Sequence, residues 1–393
     1  MLLVVAFLSF TIPTYSQGEK FSLDSCIQLA LINHPHIRTG SYAIEQQEQL
    51  KRTNFTFEPL NVSYQGGEIN SNVYDYTLNI STGIPFPTTT NARVDFQNQK
   101  VELARRQLNI TKNELIRNVS AAYYQLLFAQ QRLKELNSLD SLCNNLVSFI
   151  NRQYTLGEST QLQKLSAEGK CQEIVWQKNF TQSEIDNYQA ELRQWMGVNN
   201  KIVPNANDLL RLNINVPDSS SLASNPYLAM QEEQIKTSMA EWKVEKTRNA
   251  PSIQFGYFVQ SLDRVTPFMG FTAGLTMPLI KSGQQGRIQS MELQTRIEEE
   301  NLNALQRSLE TDLEKAINKY NQYKSRLDYF MQDGLALAKA MMSTAEKSFQ
   351  AGDIGYVEFI QNTSQAFQIR MDYWQAYLGL ELTEVEINSL TAQ

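Results

Sequence analysis

Histidine and cysteine carry much of the acid–base, nucleophilic and metal chemistry of proteins, and this chain of 393 residues has only two of the first and three of the second. His34 and His36 lie on either side of Pro35, where the pair could bind a metal ion weakly. A proline also ends a helix, so this sequence is more typical of a turn. The sequence contains no Gly-rich phosphate loop, nucleophile elbow or Cys-x-x-Cys pair. We therefore predict no catalytic residue, no metal site and no cofactor, and a protein that is not an enzyme.

The three cysteines, Cys26, Cys143 and Cys171, are an odd and sparse set. A disulfide framework would show an even number of cysteines in a short chain. All three fit positions of helical periodicity. We expect them to be inert side chains that pack on the apolar faces of helices.

Composition and the N-terminal segment indicate where the protein works. The chain carries a net charge of −6. This charge does not favour a nucleic-acid partner, because proteins that bind nucleic acids usually present a basic surface patch. Residues 1–16 contain an apolar run of about ten residues followed by small residues at Thr14 and Ser16, which is typical of a secretory signal peptide. No later segment approaches the roughly 18 apolar residues of a transmembrane helix. We predict an exported chain without a membrane-spanning helix.

Two parts of the chain repeat one pattern of apolar and small residues at alternating spacings of three and four. The first series is Leu115, Val119, Ala122, Leu126, Ala129, Leu133 and Leu136, and adding 194 gives Leu309, Leu313, Ala316, Tyr320, Tyr323, Leu327 and Phe330. At a slightly different offset, the segment from Tyr154 to Gly157 corresponds to the segment from Phe349 to Gly352. Alternating three-four spacing is typical of a coiled coil. The repeat therefore predicts two similar halves, each with long packed helices.

The predicted organisation is a signal peptide at 1–16, a first repeat at 17–210, a linker at 211–223 and a second repeat at 224–393. Each repeat contains a helix, a β-hairpin and a long helix pair. The hairpins are predicted at about 58–87 and 251–278, and the helix pairs at about 92–197 and 284–392. A helix from about 92 to 153 would be on the order of 90 Å long, so it needs partner helices along its length. Gly157 and Gly352 lie where such helices must reverse direction.

The hairpin strands alternate between apolar and polar residues. The predicted lipid-facing residues are Tyr76, Leu78, Ile80, Met269, Phe271 and Leu275. The predicted lumen-facing residues are Asp75, Thr77, Asn79 and Thr272. Two hairpins give four strands, whereas about eight are needed to close a barrel. If the apolar face meets lipid, several copies must share one barrel, and three copies would supply twelve strands. The alternative is a soluble sheet whose apolar face covers a core.

The sequence resembles the TolC-type outer-membrane factors, also called outer membrane efflux proteins, over about residues 21–392. The motifs that carry the resemblance are FSLDSCIQLALINHPHIRTG at 21–40, the strand exits Gly83-Ile-Pro85-Phe-Pro87 and Gly274-Leu-Thr-Met-Pro278, and the turns at Gly157 and Gly352. The resemblance implies a mixed membrane fold: an antiparallel α-helical coiled-coil barrel joined to a transmembrane β-barrel, which a homotrimer shares with four strands from each chain.

The resemblance also implies a passive duct in the Gram-negative outer membrane that extends into the periplasm. Expected partners are outer-membrane lipid, a periplasmic adaptor protein and an inner-membrane resistance–nodulation–division pump. The adaptor would dock on the hairpin tips, at Leu156, Gly157, Ala351 and Gly352. The inner-end gate matches Glu358, Gln361 and Gln163, a set with one carboxylate where the family has several. Two alternatives stay open: a type I protein secretion duct and a non-conducting periplasmic coiled-coil scaffold.

Overall fold

The computed structural model describes residues 20–55, 57–69, 72–199, 202–205, 219–263, 265–277 and 282–392. The predicted signal peptide at 1–16 and Pro278 of the second strand exit lie outside these residues, as do residues 211–218 of the predicted linker. Within this part of the chain, no helix is both long enough and apolar enough to cross a membrane.

The elements of the first half are, in chain order, β1 (Lys20–Phe21), α1 (Leu23–Asn33), α2 (Pro35–Leu50), β2 (Asn61–Gly67), β3 (Asp75–Ile84), α3 (Pro87–Thr155), α4 (Gln161–Met196) and β4 (Val203–Pro204). The hairpin predicted at about 58–87 contains β2 and β3. Pro35 divides the predicted opening helix into α1 and α2 because the residue before a proline avoids the helical conformation, and His34 at that point is extended, with ψ 130°.

The second half contains α5 (Pro226–Thr247), β5 (Ser252–Leu262), β6 (Val265–Thr276), α6 (Ser282–Tyr329), α7 (Leu335–Ala351) and α8 (Tyr356–Thr391). A single π-helical turn at Phe330–Gly334 lies between α6 and α7. The side chain of Asn225 caps α5 by accepting hydrogen bonds from the backbone of Tyr227 and Leu228. Pro226 then occupies the first helical position, where its missing N–H costs nothing.

The described residues fall into two compact units, each with segments from both halves of the chain. The first unit takes its described residues from 1–34, 114–217 and 314–389, and the second from 35–113, 218–313 and 390–393. The second unit contains an antiparallel sheet of four strands in the order β2-β3-β5-β6. In this unit Gln97 of α3 donates a hydrogen bond to the backbone carbonyl of Gln47 in α2, at 2.8 Å. Gln231 of α5 likewise donates to the carbonyl of Glu298 in α6, at 3.0 Å.

The first unit contains α1, α4, α7, much of α8 and parts of α3 and α6. Its core includes the repeat positions Leu115, Val119, Leu126, Leu136 and Leu327, all of which are buried. A short parallel pairing of β1 with β4 belongs to the same unit. The buried Tyr123 of α3 supports this pairing, because its hydroxyl donates to the carbonyl of Phe21 at 3.0 Å and accepts from the backbone N–H of Asn205 at 3.1 Å.

The expectation for the cysteines was wrong for two of the three. Cys143 of α3 and Cys171 of α4 form a disulfide, with their Cα atoms 5.7 Å apart, while Cys26 is a buried free thiol. Gly157 lies midway between the two bonded cysteines, whose sequence separation is 28. Residues at equal distances from the turn of a helical hairpin lie side by side, so the two thiols meet although they are far apart in sequence.

Candidate functional site

The sheet of the second unit sorts its side chains into two faces, because residues paired across antiparallel strands point to the same side. One row of register partners is Val62, Ile80, Tyr257 and Phe271, and the next row is Tyr64, Leu78, Val259 and Met269. Tyr76, two residues before Leu78, and Leu275, four residues after Phe271, fall on the same side. The six residues predicted to face lipid therefore share one apolar face.

Much of this apolar face is open to solvent in the single chain. Phe271 is 88% exposed, Leu275 is 64% exposed and Met269 is 62% exposed. Exposed apolar patches of this kind mark surfaces that meet another protein, a ligand or a membrane. The two tyrosines Tyr64 and Tyr76 are stacked near one end of β3, with ring centroids 6.4 Å apart. Tyrosine is enriched at membrane–water interfaces because its ring is apolar and its hydroxyl polar.

The opposite face of the sheet carries mainly polar residues and glycines. Its register partners include Thr77 with Gln260, Ser81 with Gly256 and Gly256 with Thr272. Phe258 interrupts the polar pattern of β5, and its ring covers Gly270, where an added Cβ would lie 2.5 Å from the ring. The glycine on the neighbouring strand therefore gives this aromatic side chain room to lie flat against the sheet.

Asp75 differs from the other residues predicted to face water, because it is fully buried. Its carboxylate accepts a hydrogen bond from the hydroxyl of Ser261 at 3.0 Å and one from the backbone N–H of Asp263 at 3.4 Å. Ser261 in turn accepts from the backbone N–H of Tyr76 at 2.9 Å. The expectation that Asp75 lies open to water is thus corrected: a buried carboxylate needs partners, and here it joins the two β-hairpins at the start of β3.

Within the first unit, two glycines end helices at the predicted reversals. Gly157 has φ +79° and Gly352 has φ +82°, a left-handed conformation that favours glycine. Nothing lies within 4 Å of a Cβ added at either position, so the backbone angle, not crowding, requires glycine. Leu156 and Ala351, which precede the two glycines, are both exposed.

Four helices of the first unit pack together near these turns. The buried cluster consists of Leu146 and Ile150 from α3, Ala167 from α4, Ala345 from α7, and Tyr356 and Phe359 from α8. Phe349 of α7 connects the helical hairpin α3–α4 with the helical hairpin α7–α8. Its ring centroid lies 5.3 Å from that of Phe149 in α3 and 4.7 Å from that of Phe359 in α8. The two turns therefore belong to one packed layer and not to two independent hairpins.

The three residues predicted to form a gate have different surroundings. The side-chain oxygen of Gln163 accepts a hydrogen bond from the backbone N–H of Thr160 at 2.8 Å, and Thr160 Oγ1 accepts from the backbone N–H of Gln163 at 3.3 Å. This capping box commits the Gln163 oxygen to the start of α4. Glu358 and Gln361 are exposed on the first turns of α8. No contact that the structure describes joins these three side chains directly.

An open groove of about 460 Å³ separates the first turns of α4 from those of α8. Its walls combine exposed apolar side chains with charged ones. The lining residues include Leu162, Gln163, Lys170, Glu173, Val357 and Ile360. A groove with this mixture of residues is suited to hold another polypeptide segment.

Further along α8, in the first unit, two carboxyl groups lie among tyrosines. Burial raises the pKa of the Glu384 carboxyl to about 7, and the neighbouring Glu381 adds to the effect. Burial also raises the pKa of the Glu381 carboxyl, although the nearby hydroxyl groups of Tyr377 and Tyr124 oppose the shift. The same burial, together with Glu381, raises the pKa of the Tyr377 hydroxyl. This part of α8 is therefore sensitive to proton concentration near neutral pH.

Comparison with solved structures shows chains of the same fold. CusC has a TM-score of 0.79 and 15% sequence identity, and the match covers 94% of this chain and 91% of that chain. The CmeC outer membrane channel of Campylobacter jejuni has a TM-score of 0.78 and 12% identity, with coverages of 94% and 85%. The outer membrane protein VceC of Vibrio cholerae has a TM-score of 0.76 and 12% identity, with coverages of 94% and 95%.

The chain has the fold of an outer-membrane channel. The resemblance found in the sequence is thus confirmed at the level of the fold. No protein-family model matches the sequence, and no curated protein matches it either.

Two features of this fold were not predicted from the sequence. The Cys143–Cys171 disulfide could have been found by placing both cysteines equidistant from Gly157. The link between Asp75 and Ser261 left no local signal, because it depends on the pairing of β3 with β5. Among the described residues, no group of three or more histidines, cysteines or carboxylates is arranged to hold a metal ion.

Proposed function

We propose that this chain is the outer-membrane channel component of a tripartite efflux system. In this proposal three copies form a passive duct that exports small molecules or metal ions from an inner-membrane pump to the exterior. The fold shared with CusC, CmeC and VceC supports the proposal. The duct does no chemistry, and the pump supplies the energy.

The observation that carries the proposal is the open, two-faced sheet. Within the described part of the chain, β2 pairs only with β3, and β6 pairs only with β5, so each outer strand has one unpaired edge. In a bilayer, each unpaired backbone group costs several kcal/mol, which excludes an open sheet. Four strands are too few to close alone, whereas three copies supply twelve. The edges β2 and β6 of neighbouring copies would then pair with each other.

The two faces of the sheet have different roles in the proposed duct. Tyr76, Leu78, Ile80, Met269, Phe271 and Leu275 contact outer-membrane lipid, and Thr77, Asn79 and Thr272 line the water-filled lumen. Alternation of apolar and polar residues is the pattern of a transmembrane barrel strand. Asp75 lies at the start of β3, where it joins the β-hairpins and does not line the lumen.

The helical turns serve the periplasmic end of the duct. The exposed residues Leu156 and Ala351, with Gly157 and Gly352, form the docking point for the periplasmic adaptor that connects the duct to a resistance–nodulation–division pump. Glu358 and Gln361, exposed near the start of α8, line the gate. Gln163 shapes the neighbouring turn through its capping box and adds no charge.

A pair of arginine substitutions tests the lipid-facing assignment. Phe271→Arg places a charge on the apolar face, and Thr272→Arg places the same charge on the polar face of the same strand. A charge in lipid costs about 2–4 kcal/mol near the bilayer midplane. We expect Phe271→Arg to abolish trimer assembly in outer-membrane fractions and conductance in planar bilayers, while Thr272→Arg retains both. Normal assembly and conductance of Phe271→Arg would contradict the lipid-facing role. Fractionation of the wild-type chain away from the outer membrane would instead favour a soluble scaffold.

A further inference from the structure

The two halves of the chain differ by one residue at a defined place. From Leu115 to Leu136 the first half matches the second at an offset of 194, which ends at Phe330. From Tyr154 onwards the offset is 195, since Gly157 corresponds to Gly352. The second half therefore contains one additional residue between Phe330 and Phe349.

The structure places a π-helical turn at the start of that interval. The backbone N–H of Leu335 donates to the carbonyl of Phe330, five residues earlier, instead of four. A π turn holds one more residue than the α-helical turn that it replaces. Over the corresponding stretch of the first half, α3 is α-helical without interruption up to Thr155. The extra residue is thus absorbed as a local bulge, and the helix continues beyond it.

The packing around the π turn depends on Gly334. The ring of Phe330 is buried against Tyr373 of α8, with centroids 6.5 Å apart. A Cβ added at Gly334 would lie 2.8 Å from Phe330 Cδ1, so this glycine leaves the space that the ring occupies. Glycine also weakens a helix by about 1 kcal/mol relative to alanine. The continuous helical segment formed by α6, the π turn and α7 is therefore weakened at Gly334.

The first helical hairpin, formed by α3 and α4, has a disulfide at a position where the second, formed by α7 and α8, has none. At the offset of 195, Cys143 and Cys171 correspond to Ala338 and Ala366. Both alanines are buried; Ala338 lies on α7 shortly after the π turn, and Ala366 lies on α8. The disulfide holds α3 and α4 in a fixed register, whereas α7 and α8 have buried alanines at the matching positions and no disulfide there.

We propose that the π turn at Phe330–Gly334 is a hinge on which α7 moves, and that the Cys143–Cys171 disulfide prevents the matching movement of the first hairpin. Hinges are formed by a few residues that absorb changes in backbone angles. The hinge itself is a property of the folded chain and can be measured without conduction.

Hydrogen exchange of the purified full-length protein tests the hinge directly. We expect amides of residues 331–338 to exchange at least about tenfold faster than those of the matched residues 137–143, because local opening frees their hydrogen bonds. Equal protection of the two stretches in the wild-type protein would overturn the proposal. Since this comparison needs neither a variant nor channel activity, a failed hinge leaves the proposed duct function untouched.

Two matched deletions test the extra residue. Deleting the exposed Gln332 should convert the π turn to an α-helical turn without rotating α7, so the thermal midpoint changes little and exchange at 333–338 slows about tenfold. Deleting the exposed Ser138 of α3, where no spare residue exists, should rotate the rest of that helix by about 100° and lower the midpoint sharply. An equal loss of stability in both deletion variants would contradict the assignment of the π turn as an absorbed insertion.

Discussion

Arg370 of α8 joins the two helical hairpins through Glu135 of α3, since its Nη2 atom lies 2.7 Å from one carboxylate oxygen and 2.6 Å from the other. The Glu135 side chain is only 10% exposed. A carboxylate in this position cannot exchange its partner for water at low cost. The ion pair therefore fixes how α8 packs against α3 within the first unit.

Removing the arginine should destabilise the protein. We expect Arg370→Ala to lower the free energy of unfolding by about 1–3 kcal/mol, because the Glu135 carboxylate loses its charged partner. The matched control is Arg326→Ala, whose side chain is 46% exposed and lies 3.6 Å from Asp372. An exposed pair contributes about 0–1 kcal/mol. Denaturant unfolding of both variants provides the measurement, and equal effects would show that burial of Glu135 does not matter.

The Cys143–Cys171 disulfide predicts how many cysteines react with a thiol reagent and how reduction changes the stability of the chain. In denaturant without reductant, a thiol reagent should modify one cysteine, and after reduction it should modify three. Replacing both Cys143 and Cys171 by serine should reduce stability by about 2–4 kcal/mol, since the open loop gains conformational entropy in the unfolded chain. Reductant should lower the thermal midpoint of the wild type and leave that of the double variant unchanged. Three reactive thiols before reduction would exclude the bond.

Glu384 predicts a pH dependence of stability. Its pKa is raised from the ordinary value of 4.5 to about 7 in the folded chain, so the folded state binds more protons than the unfolded state between these values. The contribution of this group is therefore fully present below about pH 4.5 and is lost as the pH rises to about 7. We expect the thermal midpoint of the wild type to fall over this interval more steeply than that of Glu384→Gln. The same pH dependence of the thermal midpoint in the wild type and in Glu384→Gln would contradict the raised pKa of Glu384.

The gate assignment can be tested by neutralising single carboxylates. Glu358→Gln should reduce the cation preference of channels in planar bilayers, because this carboxylate lies at the proposed constriction. The control is Glu346→Gln on α7, which changes the same charge at an exposed position away from the start of α8. Unchanged selectivity in Glu358→Gln would remove this residue from the constriction, whereas an equal change in both variants would indicate a general effect of surface charge.

Local pattern was enough for much of the fold. The alternation around Leu78 placed the strand and its faces, and the glycines at 157 and 352 marked the ends of α3 and α7. These features depend on nearest neighbours along the chain, where side-chain direction and backbone angle follow from residue type and spacing. The assignment of Asp75 to open water failed for the same reason, since alternation gives a face and says nothing of what covers it.

The sequence by itself determined the repeat, the strands with two different faces and the resemblance to outer-membrane channels, because each of these follows from the types of residues and their spacing. Only the tertiary structure decided which hairpins pair, that Cys143 meets Cys171, that Arg370 reaches Glu135 and that a π turn forms at Phe330–Gly334. These relationships depend on the register between elements far apart in the chain. Register is set by packing and pairing of the whole fold, which local spacing does not specify.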